Sequence, residues 1–343
     1  MIFEQIVTGG CQSYLMGCPE RCAAVVIDPE ASQIDRYLGL AAKDGLRIHY
    51  VIDTHTHADH FSGARALKAE TGALIVMNKL SPFPFADLRL DDGEILKVGE
   101  LKLQALLTPG HTRDSMCILA GDRVFTGDTL LIGGTGRSDL PTGNPDQLYD
   151  SLFNRLLKLP PETLVYPAHD YKGRSHSDIG TEIAGNPRLQ KTDRAEFIAM
   201  MEHLDLAAPT HLTEALRTNL SGAKTVAGLL AEAAARVPFV AMDDLAAAID
   251  AGNTGYTLLD VREKDAFDAG HITGALHLPR GQLELRVNDM LPDPTARILT
   301  ICEFGRISTL AAATLRDLGF TRAAALDGGV KAWREAGLPL VGG

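Results

Sequence analysis

The chain has 343 residues, enough for two ordinary domains with separate cores. Its hydrophobic fraction of 45% and charged fraction of 22% are those of a water-soluble globular protein. A formal net charge of -11 without a local basic patch argues against nucleic acid, and no apolar stretch reaches the length of a membrane span. Met1-Ile2-Phe3-Glu4 lacks the basic start of a signal peptide. The five cysteines form no disulfide framework, which points to a reducing cytoplasm. Cys11, Cys18 and Cys22 fit no paired C-x-x-C spacing and read as buried strand cysteines.

Apolar patterning predicts strand 23–28, a helix near 32–43, strand 48–53 and a helix from 59 to about 71. Strands at 73–77, 101–107, 115–119 and 123–126 follow, then helix 145–159 and strand 163–166. Helices interleaved with many strands imply a layered α/β sandwich. The character changes near Ser221-Gly222, and the Ala-rich 226–236 reads as a linker helix ending before Pro238. A compact α/β pattern then restarts: strand 256–261, strand 297–301, helix 308–318, strand 322–326 and helix 330–336. The second block does not repeat the first, so the chain reads as two unlike domains: 1–222, a linker at 223–237, and 238–343.

The strand at 48–53 runs into Thr54-His55-Thr56-His57-Ala58-Asp59-His60. Three imidazoles and a carboxylate at the end of a buried strand make a metal-binding loop, because neutral imidazole and carboxylate are the ligands a divalent ion favours. Alternate residues of an extended segment face one way, so His55 and His57 converge. Further ligands belong where strands end in turns: His111 after Pro109-Gly110, Asp128 after Gly127, and His169 after Pro167-Ala168. His49, His176, His203 and His211 lack that context and read as surface or packing residues.

His55, His57, Asp59 and His60 match the H-x-H-x-D-H motif of the metallo-β-lactamase superfamily, which the chain resembles; the superfamily's further ligands match His111, Asp128 and His169. The segments 127–132, 136–139, 166–171 and 186–189 look like its persulfide dioxygenase branch. That resemblance implies an αββα sandwich and one Fe(II) per chain held by His55, His111 and Asp128. It makes His57, Asp59, His60 and His169 the groups behind the ligands, and implies Arg137, Tyr171 and Arg188 for a glutathione-type substrate. A guanidinium fork suits a carboxylate. Gly133, Thr135, Leu140 and Pro141 depart from the family's frequent Arg, Cys, Phe and Gln, which leaves the thiol carrier open.

In the second block, Cys302 follows a buried strand and opens the loop Cys302-Glu303-Phe304-Gly305-Arg306-Ile307-Ser308 before a helix. Backbone N–H groups and the positive helix end there stabilise a thiolate or the anion of a persulfide. The segments 259–262, 267–275 and 327–333 resemble a rhodanese domain, an α/β sulfurtransferase fold covering about 238–340. Rhodanese loops often read C-x-x-G-x-R-S; here Ile307 holds the Arg position and Arg306 precedes it, which weakens recognition of an anionic donor such as thiosulfate.

The fusion implies an enzyme that oxidises a low-molecular-weight thiol persulfide, glutathione persulfide first among them, with O2 to sulfite and thiol, coupled to sulfur transfer through Cys302. The alternative is a two-zinc hydroxyacylglutathione hydrolase with a sulfur-sensing rhodanese module. A sulfane-sulfur donor or acceptor is the other expected partner, thiosulfate being one, and a homodimer is the assembly considered; neither nucleic acid nor membrane is expected.

Overall fold

The structure, a computed structural model, describes residues 1–204, 206 and 212–342, so His211 lies outside the described residues. It comprises two compact units, Met1–Ala223 and Lys224–Gly343. Among the described residues no helix is long and apolar enough to cross a membrane.

The strands of the first unit are β1 (Ile2–Thr8), β2 (Cys11–Cys18), β3 (Ala23–Ile27), β4 (Arg47–Ile52), β5 (Leu74–Asn78), β6 (Leu88–Leu90), β7 (Ile95–Val98), β8 (Leu101–Leu107), β9 (Met116–Ala120), β10 (Arg123–Gly127), β11 (Leu130–Leu131), β12 (Gly134–Thr135), β13 (Leu164–Pro167) and β14 (Ser177–Asp178). Its helices are α1 (Ile34–Lys43), α2 (Ala64–Thr71), α3 (Pro145–Phe153), α4 (Ile179–Gly185), α5 (Arg194–Glu202) and α6 (Leu212–Ser221). One sheet runs β1-β2-β3-β4-β5-β6 and the other β14-β13-β10-β9-β8-β7. Between the sheets lie Tyr14, Met16, Val25, Ile27 and Ile52 of the first, facing Leu103, Met116, Ile118, Phe125 and Tyr166 of the second. The alternate residues Leu15, Val26 and Val51 pack outward with Tyr37 and Ala41 of α1 and Leu67 of α2. On the far side Leu106, Cys117, Val124 and Val165 pack with Leu148 and Leu152 of α3 and Phe197 of α5. Period-two alternation thus divides each sheet between an inner and an outer core, the four layers of an αββα sandwich.

The second unit holds α7 (Val226–Arg236), β15 (Phe239–Val240), α8 (Met242–Asp250), β16 (Thr257–Asp260), α9 (Lys264–Asp268), β17 (Leu276–His277), α10 (Leu283–Met290), β18 (Ile298–Ile301), α11 (Arg306–Asp317), β19 (Ala324–Leu326) and α12 (Gly329–Glu335). Its sheet is all parallel in the order β15-β19-β18-β16-β17. One face packs on Ala233 of α7, Leu283 and Val287 of α10 and Leu315 of α11. The other packs on Leu245 of α8 and Val330 and Trp333 of α12. The helix read from sequence as a linker, α7, therefore contributes to the core of this unit.

Several expected boundaries differ. The helix expected from residue 59 begins at Ala64. Residues before it form a loop because the carbonyls of His57 and His60 accept the Asn219 side-chain amide at 2.8 and 2.9 Å instead of helical N–H groups. The helix expected to reach 159 ends at Phe153 and gives way to a 3-10 turn at Leu156–Lys158. Strands β1 and β2 had no clear signal: seven of the eight residues of β2 are buried, so it lacks a polar alternation. Of the cysteines read as buried in strands, only Cys18 is; Cys11 is half-buried and Cys22 is exposed in a left-handed turn (φ +49°).

Candidate metal centre

The motif loop leaves β4 at the edge where both sheets end. Asp28, at the end of β3, anchors it from below. Its backbone is left-handed (φ +49°), a conformation that Asp tolerates better than most residues, and this turns the carboxylate under the loop. It accepts from Thr54 N at 2.7 Å, Thr54 Oγ1 at 2.9 Å and lies 3.1 Å from His57 Nε2. Asp114 accepts from Thr56 N and Oγ1 at 3.1 and 2.6 Å. With every second residue held by a buried carboxylate, the imidazoles between them keep fixed directions.

The ligand atoms of His55, His111 and Asp128 lie within 4.8 Å of one another. His55 Nδ1 is 3.0 Å from Thr54 Oγ1, while its Nε2 is buried without a hydrogen-bond partner among the described residues. His111 Nδ1 is 2.7 Å from the carbonyl oxygen of Arg137, and its Nε2 is 3.6 Å from Asp128 Oδ2. This approach depends on Gly136, where a Cβ would stand 1.8 Å from the Asp128 carbonyl oxygen and 3.0 Å from His111 Nδ1. Gly127 brings β10 against the motif loop, where a Cβ would stand 2.5 Å from Thr54 Oγ1. Burial, with His57 and His111 beside it, pushes His55 well below the ordinary histidine value, so its imidazole is neutral and ready to coordinate. Asp128 is ionised despite its burial because His169 and His111 beside it hold it below the usual carboxylate range.

His169 bridges two carboxylates, with Nδ1 2.6 Å from Asp128 Oδ1 and Nε2 2.6 Å from Asp59 Oδ2. Burial opposes a charge there, yet the Asp128 and Asp59 carboxylates raise it well above the histidine range. His57 joins Asp28 and Asp53 in a separate inner cluster. Burial pushes the Asp53 carboxyl up to about 6, and Ser62 Oγ donates to it at 2.7 Å.

A third cluster was not read from the sequence: Cys11, Asp59, His60 and His169 bring their donor atoms within 4.8 Å of one another. Burial disfavours the Cys11 thiolate, but His169 and His60 beside it outweigh that and bring the thiol down to about 7. No motif marks Cys11. Only the pairing of Cys11 with His169 across sheets brings it in, with Gln12 N donating to the Ala168 carbonyl at 2.6 Å.

These groups open into a cavity of about 740 Å³ lined by Cys11, Asp59, His111, Asp128 and His169 and, toward solvent, by Arg137, Tyr171, Arg174 and Arg188. The three residues expected to bind substrate therefore share one cavity with His111 and Asp128; His55 is not part of its lining. Arg137 has its fork on Asp139, at 2.5 and 2.7 Å. Arg188 is half-buried and donates to the Thr135 carbonyl at 2.5 Å. The Tyr171 ring, 76% exposed at the mouth, stacks on His169 with centroids 5.9 Å apart. Arg174, which the sequence did not single out, is clamped by Asp170 at 2.6 and 3.0 Å. His49, His176 and His203 are exposed and stand apart from these clusters, as read.

In the second unit Cys302 directly follows β18 and is 1% exposed. Its Sγ accepts from Ser308 N at 3.2 Å and lies 3.3 Å from Ser308 Oγ. Glu303 is held by Arg262 at 3.1 Å and Arg334 at 3.2 Å. Phe304 and Ile307 are 63% and 50% exposed, and Arg306 is exposed beside them. Ile307 therefore does not pack beneath the helix.

An αββα sandwich with its histidine–carboxylate centre at one edge, on a chain that also carries a cysteine loop at the end of a parallel sheet, is a metallo-β-lactamase domain fused to a rhodanese domain. Residues 7–169 match the metallo-beta-lactamase superfamily and residues 241–336 the rhodanese-like domain. The human mitochondrial persulfide dioxygenase ETHE1 is 37% identical over 61% of this chain and 82% of its own length. The crystal structure of ETHE1 from Myxococcus xanthus is 44% identical with a TM-score of 0.63, over 65% of this chain and 99% of that one. A hydroxyacylglutathione hydrolase of Polaromonas sp. is 37% identical over a shorter span, 50% of this chain and 67% of its own. The chain belongs to the persulfide dioxygenase family.

Proposed function

We infer that the protein oxidises a low-molecular-weight thiol persulfide at one Fe(II) held by His55, His111 and Asp128. The overall change is R-S-SH + O2 + H2O → R-SH + sulfite + 2 H⁺. The observation that carries this reading is the donor set itself: two imidazoles and one carboxylate converge, and the buried Nε2 of His55 has no other partner among the described residues. Such a facial triad leaves coordination positions open, as non-haem Fe(II) oxygenase chemistry needs. When bound, the ion would supply the redox chemistry between persulfide and O2.

The chain's own residues prepare the site. His169, donating to Asp128 Oδ1, leaves Oδ2 turned toward His111 and fixes the carboxylate's orientation. Asp28 holds His57 and Thr54, and through Thr54 it orients His55. Arg188, Arg137 and Tyr171 give the cavity mouth cations and an aromatic face suited to a carboxylate-bearing thiol such as glutathione. The apolar stem of a thiol carrier would lie against Leu131, Ile132 and Leu140 of the same wall.

Sulfur transfer through Cys302 is the second part of the reading. Ser308 N and the N-terminus of α11 face its sulfur and stabilise an anion there. A cysteine carrying sulfane sulfur has a use beside persulfide oxidation and none beside thioester hydrolysis. The two-zinc hydrolase is the competing reading, since Cys11, Asp59, His60 and His169 form a second group able to hold an ion; the longer match to persulfide dioxygenases favours the iron reading over it. Metal analysis with oxygen uptake on glutathione persulfide decides: one iron with uptake is expected, and two zincs with thioester hydrolysis would replace this reading.

A further inference from the structure

Cys11 has no part in the reading above, yet it stands inside the cavity. Its thiol is half-buried at the start of β2, and the neighbouring Gly10 lies directly under the Tyr171 ring, where a Cβ would be 2.7 Å from Cδ1. Sγ falls within 4.8 Å of donor atoms of Asp59, His60 and His169. His60 is only 8% exposed, and among the described residues neither ring nitrogen has a hydrogen-bond partner, although Nδ1 is 3.4 Å from Asp59 Oδ1. A buried imidazole beside a cavity-facing thiol, raised against its burial to about 10 by Asp59 and Cys11, is a cation that holds the thiol as a thiolate nucleophile. The other thiols of the first unit lack it: Cys18 and Cys117 are buried in strands, and Cys22 is on the outer surface.

We propose that Cys11 is a sulfur-accepting nucleophile in the metal-centre cavity, taking the outer sulfur of a thiol persulfide. This rests on the persulfide reading. Sγ attacks the outer sulfur of R-S-SH, the Sγ–S bond forms, and the S–S bond of the donor breaks with its electron pair leaving on R-S⁻. The proton lost by Cys11 passes through His60 or His169 to that thiolate. The products are Cys11-S-SH and R-SH, and no external oxidant or reductant is needed. The first unit would then carry sulfane sulfur on its own cysteine, separately from Cys302.

The test uses the full-length iron-loaded Cys302→Ser protein, mixed with glutathione persulfide without oxygen, then alkylated and mapped by peptide mass spectrometry. The expected result is a gain of one sulfur atom on Cys11, with Cys18, Cys22 and Cys117 unmodified. His60→Gln should slow that gain by about tenfold or more, because the thiolate loses its cationic partner and the leaving thiolate its proton donor. An unmodified Cys11, a Cys11 carrying the whole glutathione moiety, or modification favouring Cys22 would each overturn the proposal. A rate unchanged in His60→Gln would remove His60 from it. Oxygen uptake on the same persulfide by the wild type tests the underlying reading separately. Uptake without a Cys11 adduct sinks only this inference, and an adduct without uptake sinks only the reading.

Discussion

At the residue scale the centre is held by buried acids outside the group of His55, His111 and Asp128. Asp28 satisfies two donors of Thr54 and fixes His57, all within a region closed to water. Asp28→Ala leaves these groups unpaired, and stability should fall by about 3 kcal/mol, since each orphaned buried donor costs about 1–3 kcal/mol. The unfolding transition of the first unit in denaturant, measured without metal, checks this; a loss under about 1 kcal/mol would mean the neighbours re-pair. The ligands themselves are not redundant: His55→Ala, His111→Ala and Asp128→Ala should each lose iron and oxygen uptake. Asp128→Asn should weaken iron, because the carboxylate's charge offsets the ion's. Full iron and near-normal turnover in any alanine variant would break the assigned triad. Cys117 gives a pH signature: burial pushes its thiol up from 9.0 to about 12, against hydrogen bonds from Thr108 and Thr129. Its contribution is complete below about pH 9 and is lost as pH rises toward about 12, because the unfolded thiol ionises first. Between these limits stability should fall by about 1.4 kcal/mol per pH unit more steeply in the wild type than in Cys117→Ala. Equal alkaline slopes in urea titrations would contradict it.

At the element scale, α6 acts as a clasp. Asn219 accepts from Ser62 N at 3.0 Å and donates to the carbonyls of His57 and His60, so one side chain closes three bonds to the motif loop. Under the proposed function, the start of α11 would set donor choice in the second unit. Ile307 puts a half-exposed apolar side chain where rhodanese loops often carry arginine. Thiosulfate should therefore be a poor donor compared with a less charged persulfide. Ile307→Arg should raise thiosulfate turnover by about tenfold, the worth of one charge-assisted contact. Steady-state sulfur transfer by wild type, Ile307→Arg and Arg306→Ala decides. Efficient wild-type use that vanishes in Arg306→Ala would assign the anion to Arg306.

At the scale of the whole molecule, two units with separate cores carry the two candidate sites, and the proposed function gives each its own chemistry. Cys302→Ser should abolish sulfur transfer while oxygen uptake on supplied glutathione persulfide continues, since the iron-centred reaction needs no thiol from the second unit. Strong loss of uptake with iron retained would instead make Cys302 an obligatory relay. The sequence by itself determined a good deal of this molecule. Apolar patterning and strand-end turns marked about half of the strands, and H-x-H-x-D-H, His111, Asp128, His169 and Cys302 stood out because turn residues and metal-ligand types cluster locally. Only the tertiary structure decided what depends on contacts between distant segments. The doubly buried β2 carries no alternation, and the loop at 59–63 is kept from helix by Asn219, far along the chain. Cys11 joins the centre only through its pairing with His169, and Arg137 is engaged by Asp139. Local pattern records which face of a segment is apolar; it does not record which distant group will meet the other face.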